Sequence, residues 1–219
     1  MGRLIAIEGL DGAGKNTQSD LLCKYLSEKG VPVLKIDFPN YSSKSSTLVK
    51  MYLDGELGDS PDDTNCYAAS AFFACDRYIS YVTGWKSFLE REDAVVVANR
   101  YTTANAYHQL SKLPKEEWDP FLEWLWDLEF KKFGLPEPDD VICLAVSPEI
   151  SQRNIERRCR RRHVQKDIHE RDREYLAKCR GAAEYAASRL GWSFIDCTDG
   201  ERQLPVAEVF EKIKAALNI

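Results

Sequence analysis

Gly9-Leu10-Asp11-Gly12-Ala13-Gly14-Lys15-Asn16-Thr17 matches the phosphate-loop template G-x-x-x-x-G-K-[ST] at every fixed position except the last, where Asn16 replaces a hydroxyl residue. The apolar run Leu4-Ile5-Ala6-Ile7 before it suits a buried strand, and Leu21, Leu22, Tyr25 and Leu26 after it recur at helical spacing. In a strand–loop–helix context, the glycines let successive N–H groups turn inward on a polyphosphate, and the helix N-terminus adds positive potential. Gly9, Asp11, Gly12, Ala13, Gly14, Lys15, Asn16 and Thr17 are therefore the expected nucleotide-phosphate site, with Lys15 directed at the β- and γ-phosphates. The missing hydroxyl ordinarily ligates Mg²⁺, so Asn16 is the expected metal contact, through its amide oxygen or a metal-bound water. Thr17 lies about 100° further round the helix and is poorly placed to substitute.

Beyond the loop, strands and helices alternate. Val31 to Ile36 reads as a second strand ending in Asp37-Phe38-Pro39, and Ser45 to Leu53 as a short helix. Pro61-Asp62-Asp63 opens a long helical stretch to about Leu89, and Ala94 to Ala98 is a third strand, apolar enough to be covered on both faces. A helix to about Gln109 and an aromatic helix from Trp118 lead to Gly134; Val141 to Val146 is the fourth strand. Ser147-Pro148-Glu149 is a helix start, with cap, N1 proline and acidic first turn. A further helix from Ile168 to Leu190, a fifth strand at Ser193 to Asp196 and an amphipathic helix from Pro205 to Asn218 complete the pattern. This alternation predicts an α/β fold of the P-loop NTPase type: a three-layer sandwich, with a five-stranded parallel sheet between helices and ligands at the carboxyl ends of the strands.

With 219 residues and no Pro/Gly/Ser-rich linker, the chain is expected to form a single domain over 1–219. No apolar stretch approaches bilayer length, and no basic segment followed by an apolar one opens the chain, so the expectation is a cytoplasmic protein without membrane partners. Seven scattered cysteines, with no C-x-x-C pair, read as reduced thiols, and Cys143 as core. His108, His163 and His169 lack metal-ligand spacing. Net charge is −5, yet Arg153, Arg157, Arg158, Arg160, Arg161 and Arg162 crowd into ten residues. One arginine island on an acidic chain suits a small polyanion rather than nucleic acid, which needs a distributed basic face.

Glu8 to Lys15, Asp37-Phe38-Pro39, Asp76-Arg77-Tyr78 and Arg100-Tyr101, in this order and spacing, resemble the thymidylate kinase family over nearly the whole chain. The resemblance implies transfer of the γ-phosphate of ATP, with Mg²⁺, to dTMP, and a homodimer. It implies that Phe73 stacks on thymine, Arg77 binds the base edge, Arg100 grips the acceptor phosphate and Asp11 contacts the sugar 3′-hydroxyl. Phe38, Pro39, Tyr41, Asn105 and His108 complete the expected acceptor site. The island becomes a lid at about 153–167, with Arg153, Arg157 and Arg162 expected to act in catalysis beside Lys15 and Arg100. Because Gly12 stands where some members carry a basic residue, the resemblance is to the bacterial type, whose lid supplies the charge. Three positions depart from the family pattern: Asn16, Tyr41 in place of the F-P-x-R arginine, and Asn99 in place of an aspartate. A kinase for another deoxynucleoside monophosphate, or a nucleotide-binding regulatory protein weakened in turnover, are the other readings.

Overall fold

A computed structural model of the chain describes residues 1–163, 165–200 and 202–219, with the Arg162 side chain outside the description. In chain order the elements begin β1 (Arg3–Gly9), α1 (Lys15–Glu28), β2 (Val33–Asp37), α2 (Thr47–Leu53), α3 (Cys66–Ser80) and α4 (Lys86–Leu89). They continue through β3 (Val95–Asn99), α5 (Thr102–His108), α6 (Trp118–Trp126), β4 (Asp140–Ala145), α7 (Pro148–Arg162), α8 (Ile168–Arg171) and α9 (Arg173–Leu190). β5 (Ser193–Asp196), a small hairpin of β6 (Thr198–Asp199) and β7 (Arg202–Gln203), and α10 (Val206–Leu217) follow.

The central sheet has the order β2-β3-β1-β4-β5, and every pairing in it is parallel. Side chains alternate across a strand, so β1 feeds two cores. Ile5 and Ile7 pack with Leu22, Leu26, Val209 and Ile213 of α1 and α10. Leu4 and Ala6 face the other way, with Tyr81, Trp85 and Leu89. The β-branched run Val95-Val96-Val97 suits such a doubly covered strand, and each of the three is buried. Cys143 is buried beside Leu10 and α9.

The stretch expected as one helix from Pro61 to Leu89 is divided. Ser60 and Asp63 close a reciprocal capping box on a single 3₁₀ turn. Thr64 then returns to extended backbone, and Asn65 caps α3 afresh by accepting from the N–H groups of Tyr67 and Ala68. Two caps five residues apart favour two starts over one continuous helix. The β6–β7 hairpin was not foreseen, because two-residue strands are too short to show alternation.

Candidate active site

α1 has Gly14 as its N-cap residue, which adopts φ 98° and provides no side-chain cap. Its first-turn N–H groups are thus left for an external acceptor, the condition for anion binding. Lys15 curls back over the loop, its Nζ donating to the carbonyls of Gly9 and Leu10, each at 2.9 Å, and lying 3.7 Å from Asp11 Oδ1. Burial, then the neighbouring Arg100, lowers the Lys15 ammonium to about 8.

Gly12 is required by packing as much as by its φ of 78°, since a Cβ there would stand 2.7 Å from the carbonyl oxygen of Ser151. α7 presses on the loop at this point. Ser151 Oγ donates to Asp11 O at 2.5 Å, and Asn154 Nδ2 donates to Gly12 O at 2.9 Å and to Gln203 Oε1 at 2.8 Å. The arginine-bearing helix is therefore fastened to the phosphate loop at its N-terminal half. Ser147 starts it by accepting from the Ile150 N–H.

Arg100 follows β3 in the left-handed region, at φ 68°, a conformation that non-glycine residues keep only under tertiary constraint. Its Nη2 donates to Asp11 Oδ1 at 2.6 Å, and its Nη1 to Tyr107 Oη at 2.8 Å and His108 Nε2 at 3.1 Å. Burial opposes ionisation of Asp11, but Arg100 and Lys15 outweigh it and hold the carboxyl well below the usual range. Burial, aided by Arg100, keeps His108 neutral. Beneath this cluster lies Glu8, fully buried, which accepts from Tyr101 N at 2.7 Å and Tyr107 Oη at 3.0 Å, and also from Thr103 Oγ1. Glu8 thus fixes the backbone after Arg100 and one of its partners. Sequence reading used it only as part of a motif.

Loop residues 11–18, Arg100 and the other expected acceptor residues line one cavity of about 1600 Å³. This exceeds the roughly 300–1,000 Å³ of a typical small-molecule pocket and suits two nucleotides end to end. Asp37, Phe38, Pro39, Tyr41, Phe73, Arg77, Asn105 and His108 all reach it. Phe38 packs on Tyr101, and Phe73 stands edge-on to Tyr52. Asp76 accepts from Asn40 N at 2.8 Å and so ties the segment after Pro39 to α3.

Arg77 departs from the simple expectation. It is buried, with Nε and Nη2 donating to the two Glu129 oxygens at 2.6 and 2.5 Å. Most of its donor fork is committed to that carboxylate, leaving Nη1, which contacts Tyr101 O at 3.4 Å, nearest to a free donor. Asn105 Nδ2 likewise leans on Ser70 O, at 3.3 Å, and Glu129. Glu129 was not foreseen, since it lies among helical charges that no spacing rule distinguishes.

Of the arginine island, Arg153, Arg157, Arg158 and Arg161 line the cavity and Arg160 does not. Arg158 is paired with Glu170. The Arg162 side chain, and Val164 within the expected lid, lie outside the described residues. Asp167, His169 and Glu170 also reach the cavity, where burial and then Asp11 raise the Asp167 carboxyl to about 7. The rings of His169 and His108, distant in sequence, stack at 5.1 Å. Sequence reading named no residue between Cys197 and Gln203, yet Arg202, Gln203, Leu204, Pro205 and Val206 form the cavity wall beside α1, where Gln18 Nε2 donates to Val206 O at 3.0 Å.

At the expected metal contact, the side-chain amide is engaged within the chain. Asn16 Oδ1 accepts from Lys35 Nζ at 2.8 Å, and its Nδ2 donates to Asp20 Oδ2 at 3.0 Å. The amide oxygen is thus engaged by a cation of the chain itself, a like charge for any metal brought to Asn16.

Residues 7–207 match the family model described as thymidylate kinase. The thymidylate kinase of Mycobacterium tuberculosis is 34% identical over 193 residues, covering 86% of this chain and 87% of that protein. The Caenorhabditis elegans thymidylate kinase is 29% identical over 164 residues, covering 68% of this chain and 66% of the relative. The solved thymidylate kinase structure from Candida albicans superposes with a TM-score of 0.69 at 20% identity, covering 99% of this chain and 91% of that one, a likeness of fold.

Proposed function

The chain belongs to the thymidylate kinase family, and from that membership we propose that its cavity binds ATP and dTMP together, in roles set by the residues around Arg100. The enzyme is an ATP-dependent nucleoside monophosphate kinase that converts dTMP to dTDP. One observation carries the placement of the two substrates: the phosphate loop, Arg100 and Phe73 open into the same cavity.

A 5′-phosphate oxygen of dTMP attacks the γ-phosphorus of ATP in line. A new P–O bond forms as the bond to the β-phosphate oxygen breaks, its electron pair leaving on ADP. No side-chain nucleophile takes part, so catalysis rests on positioning and charge neutralisation. The open first turn of α1 and Lys15 hold the donor phosphates. Lys15 leaves its two loop carbonyls for the phosphate oxygens, and Arg100, already oriented by Asp11 and Tyr107, presents its fork to the acceptor phosphate. Arg153 and Arg157 face the cavity from α7 and bring positive charge to the transferring group; we assign Arg162 to the same group from its place in the island alone. Mg²⁺, carried by the ATP phosphates rather than by Asn16, would supply further charge neutralisation there.

Phe73 offers a flat apolar face to thymine, and Arg77, braced by Glu129, offers its remaining donor to the base edge. Asp11, Asn105 and His108 surround the sugar, and Phe38, Pro39 and Tyr41 border the acceptor phosphate. The wall at Arg202 to Val206 takes the adenine of ATP. We assign residues 1–219 to a single domain whose lid spans about 153–167. We place the enzyme in the cytoplasm, which agrees with seven cysteines that are all unpaired. A homodimer would cover the exposed Tyr78 and Ile79 of α3 and Val82 just beyond its end.

The test is a panel of nucleoside monophosphates with coupled ADP detection. The expected result is the highest kcat/KM for dTMP. Preference for dGMP or dCMP overturns the acceptor assignment, and tight binding of ATP and dTMP with no dTDP formed overturns the enzyme in favour of a regulatory binder.

A further inference from the structure

Phosphate-loop enzymes ordinarily hold their metal between the hydroxyl after the loop lysine and a carboxylate at a neighbouring strand end. This chain has an amide at each place, Asn16 and Asn99, and the two are joined through one ammonium. Lys35 Nζ contacts Asn16 Oδ1 at 2.8 Å, Asp20 Oδ1 at 2.7 Å and Asp37 Oδ1 at 3.5 Å. The same Asp37 oxygen accepts from Asn99 Nδ2 at 2.7 Å, as the register pairing Asp37 with Asn99 allows. Asn99 Oδ1 is buried without a partner among the described residues. Lys35 and Asp37 are two apart on β2 and share the face toward α1, where Asn16 and Asp20 are four apart on the helix.

We propose that Lys35, behind the cavity wall and in contact with the wall residues Asn16 and Asp37, is the resident cation bordering this phosphate site, its ammonium standing in for a metal held by the protein at the start of α1. The proposal rests on the kinase reading of the cavity. A lysine ammonium is a compact point charge with three donors, and here it sits among three oxygens, two of them carboxylate. With Lys35 in place, a second cation at Asn16 would meet an occupied oxygen and a like charge. Without it, Asn16, Asp20 and Asp37 would leave two carboxylates and an amide oxygen, a donor set that suits a hard divalent ion. The exchange of a hydroxyl and a carboxylate for two amides then becomes intelligible, because an ammonium needs less negative charge around it than a divalent ion does. ATP binding should accordingly depend little on added metal.

The experiment compares the full-length protein with Lys35→Met and Lys35→Arg in two measurements: Mn²⁺ binding without nucleotide, by electron paramagnetic resonance, and ATP affinity in EDTA and in Mg²⁺. In wild type, ATP affinity in EDTA should stay within about threefold of that in Mg²⁺, whereas Lys35→Met should lose about tenfold or more in EDTA and recover it with metal. Lys35→Met should also bind Mn²⁺ about tenfold more tightly than wild type, and Lys35→Arg should behave as wild type in both measurements. Equal Mn²⁺ binding and equal EDTA affinity in Lys35→Met and wild type overturn the proposal. Metal-independent ATP binding by a wild type that makes no dTDP would remove the kinase reading and leave the role of Lys35 standing.

Discussion

Arg100 and Asp11 are joined at 2.6 Å, Nη2 to Oδ1, so the end of β3 is tied directly to the phosphate loop after β1. The pair fixes the fork of an arginine whose backbone is itself held at φ 68°. Replacing Arg100 with Ala is expected to lower kcat/KM for dTMP about 10²- to 10³-fold, the cost of losing one preorganised donor to a transferring group. The dissociation constant for ATP should change little. Asp11→Asn leaves the guanidinium present but loosened, and a smaller loss of about tenfold is expected. Steady-state kinetics with each substrate varied, beside calorimetry of ATP alone, read both effects.

A second prediction concerns pH. Lys15 in the free protein sits near 8, lowered first by burial and next by Arg100, against an ordinary lysine value of about 10.4. Bound polyphosphate favours the ammonium, so above pH 8 binding must be accompanied by proton uptake, and ATP affinity should fall by up to about tenfold per pH unit there. Below that pH it should be flat with respect to this group. Calorimetry in buffers of different ionisation enthalpy detects the uptake directly, and Lys15→Arg should abolish it.

Gly12→Arg tests why this loop carries no basic residue. Its Cβ would meet the Ser151 carbonyl oxygen at 2.7 Å, and φ is 78°, so α7 must lift. Loss of the Ser151 and Asn154 contacts should then follow, together with a backbone cost of about 1–2 kcal/mol. Denaturation midpoints and ATP affinity should fall together. A variant with unchanged ATP affinity would show that the attachment of α7 to the loop is dispensable.

Among the described side chains, the island separates into arginines that face the cavity and one, Arg160, that does not. Arg153→Ala and Arg157→Ala are expected to reduce kcat by about 10²-fold or more, with little change in ATP affinity, as for charge delivered to the transition state. Arg160→Ala should be near wild type, since Arg160 lies outside the cavity wall. Rapid-quench measurement of a single turnover keeps chemistry apart from lid opening.

Arg77 and Glu129 form a buried bidentate pair, and removing one partner strands the other. Glu129→Ala should destabilise the fold by about 3–5 kcal/mol in urea, and an Arg77→Leu/Glu129→Leu double variant should be much less affected. The double variant should nevertheless bind dTMP poorly, because the donor aimed at the base edge is gone.

Much of this was readable from the chain. The apolar run before Gly9, the helical spacing after Lys15 and Val95-Val96-Val97 announce a parallel sheet, because burial on two faces leaves a direct imprint on residue type. Phe73 and Arg100 could be placed only by their resemblance to a family pattern, and both reach the cavity. Glu129 and Lys35 were not readable in either way. Each is an ordinary charged residue in its own segment, and its role arises from a partner 52 residues away, Arg77, or 19 away, Asn16.

Sequence alone determined the strand–loop–helix unit, the order of the βα elements and the identity of the residues that could touch phosphate, since these follow from local sterics and short-period patterning. Only the tertiary structure decided which donors remain available. It committed most of the Arg77 fork to Glu129, set Ser151 against Gly12, and gave the oxygen of Asn16 to Lys35. The physical reason is that a buried polar group takes whatever partner packing brings within about 3 Å, and that choice belongs to the fold as a whole rather than to any stretch of chain.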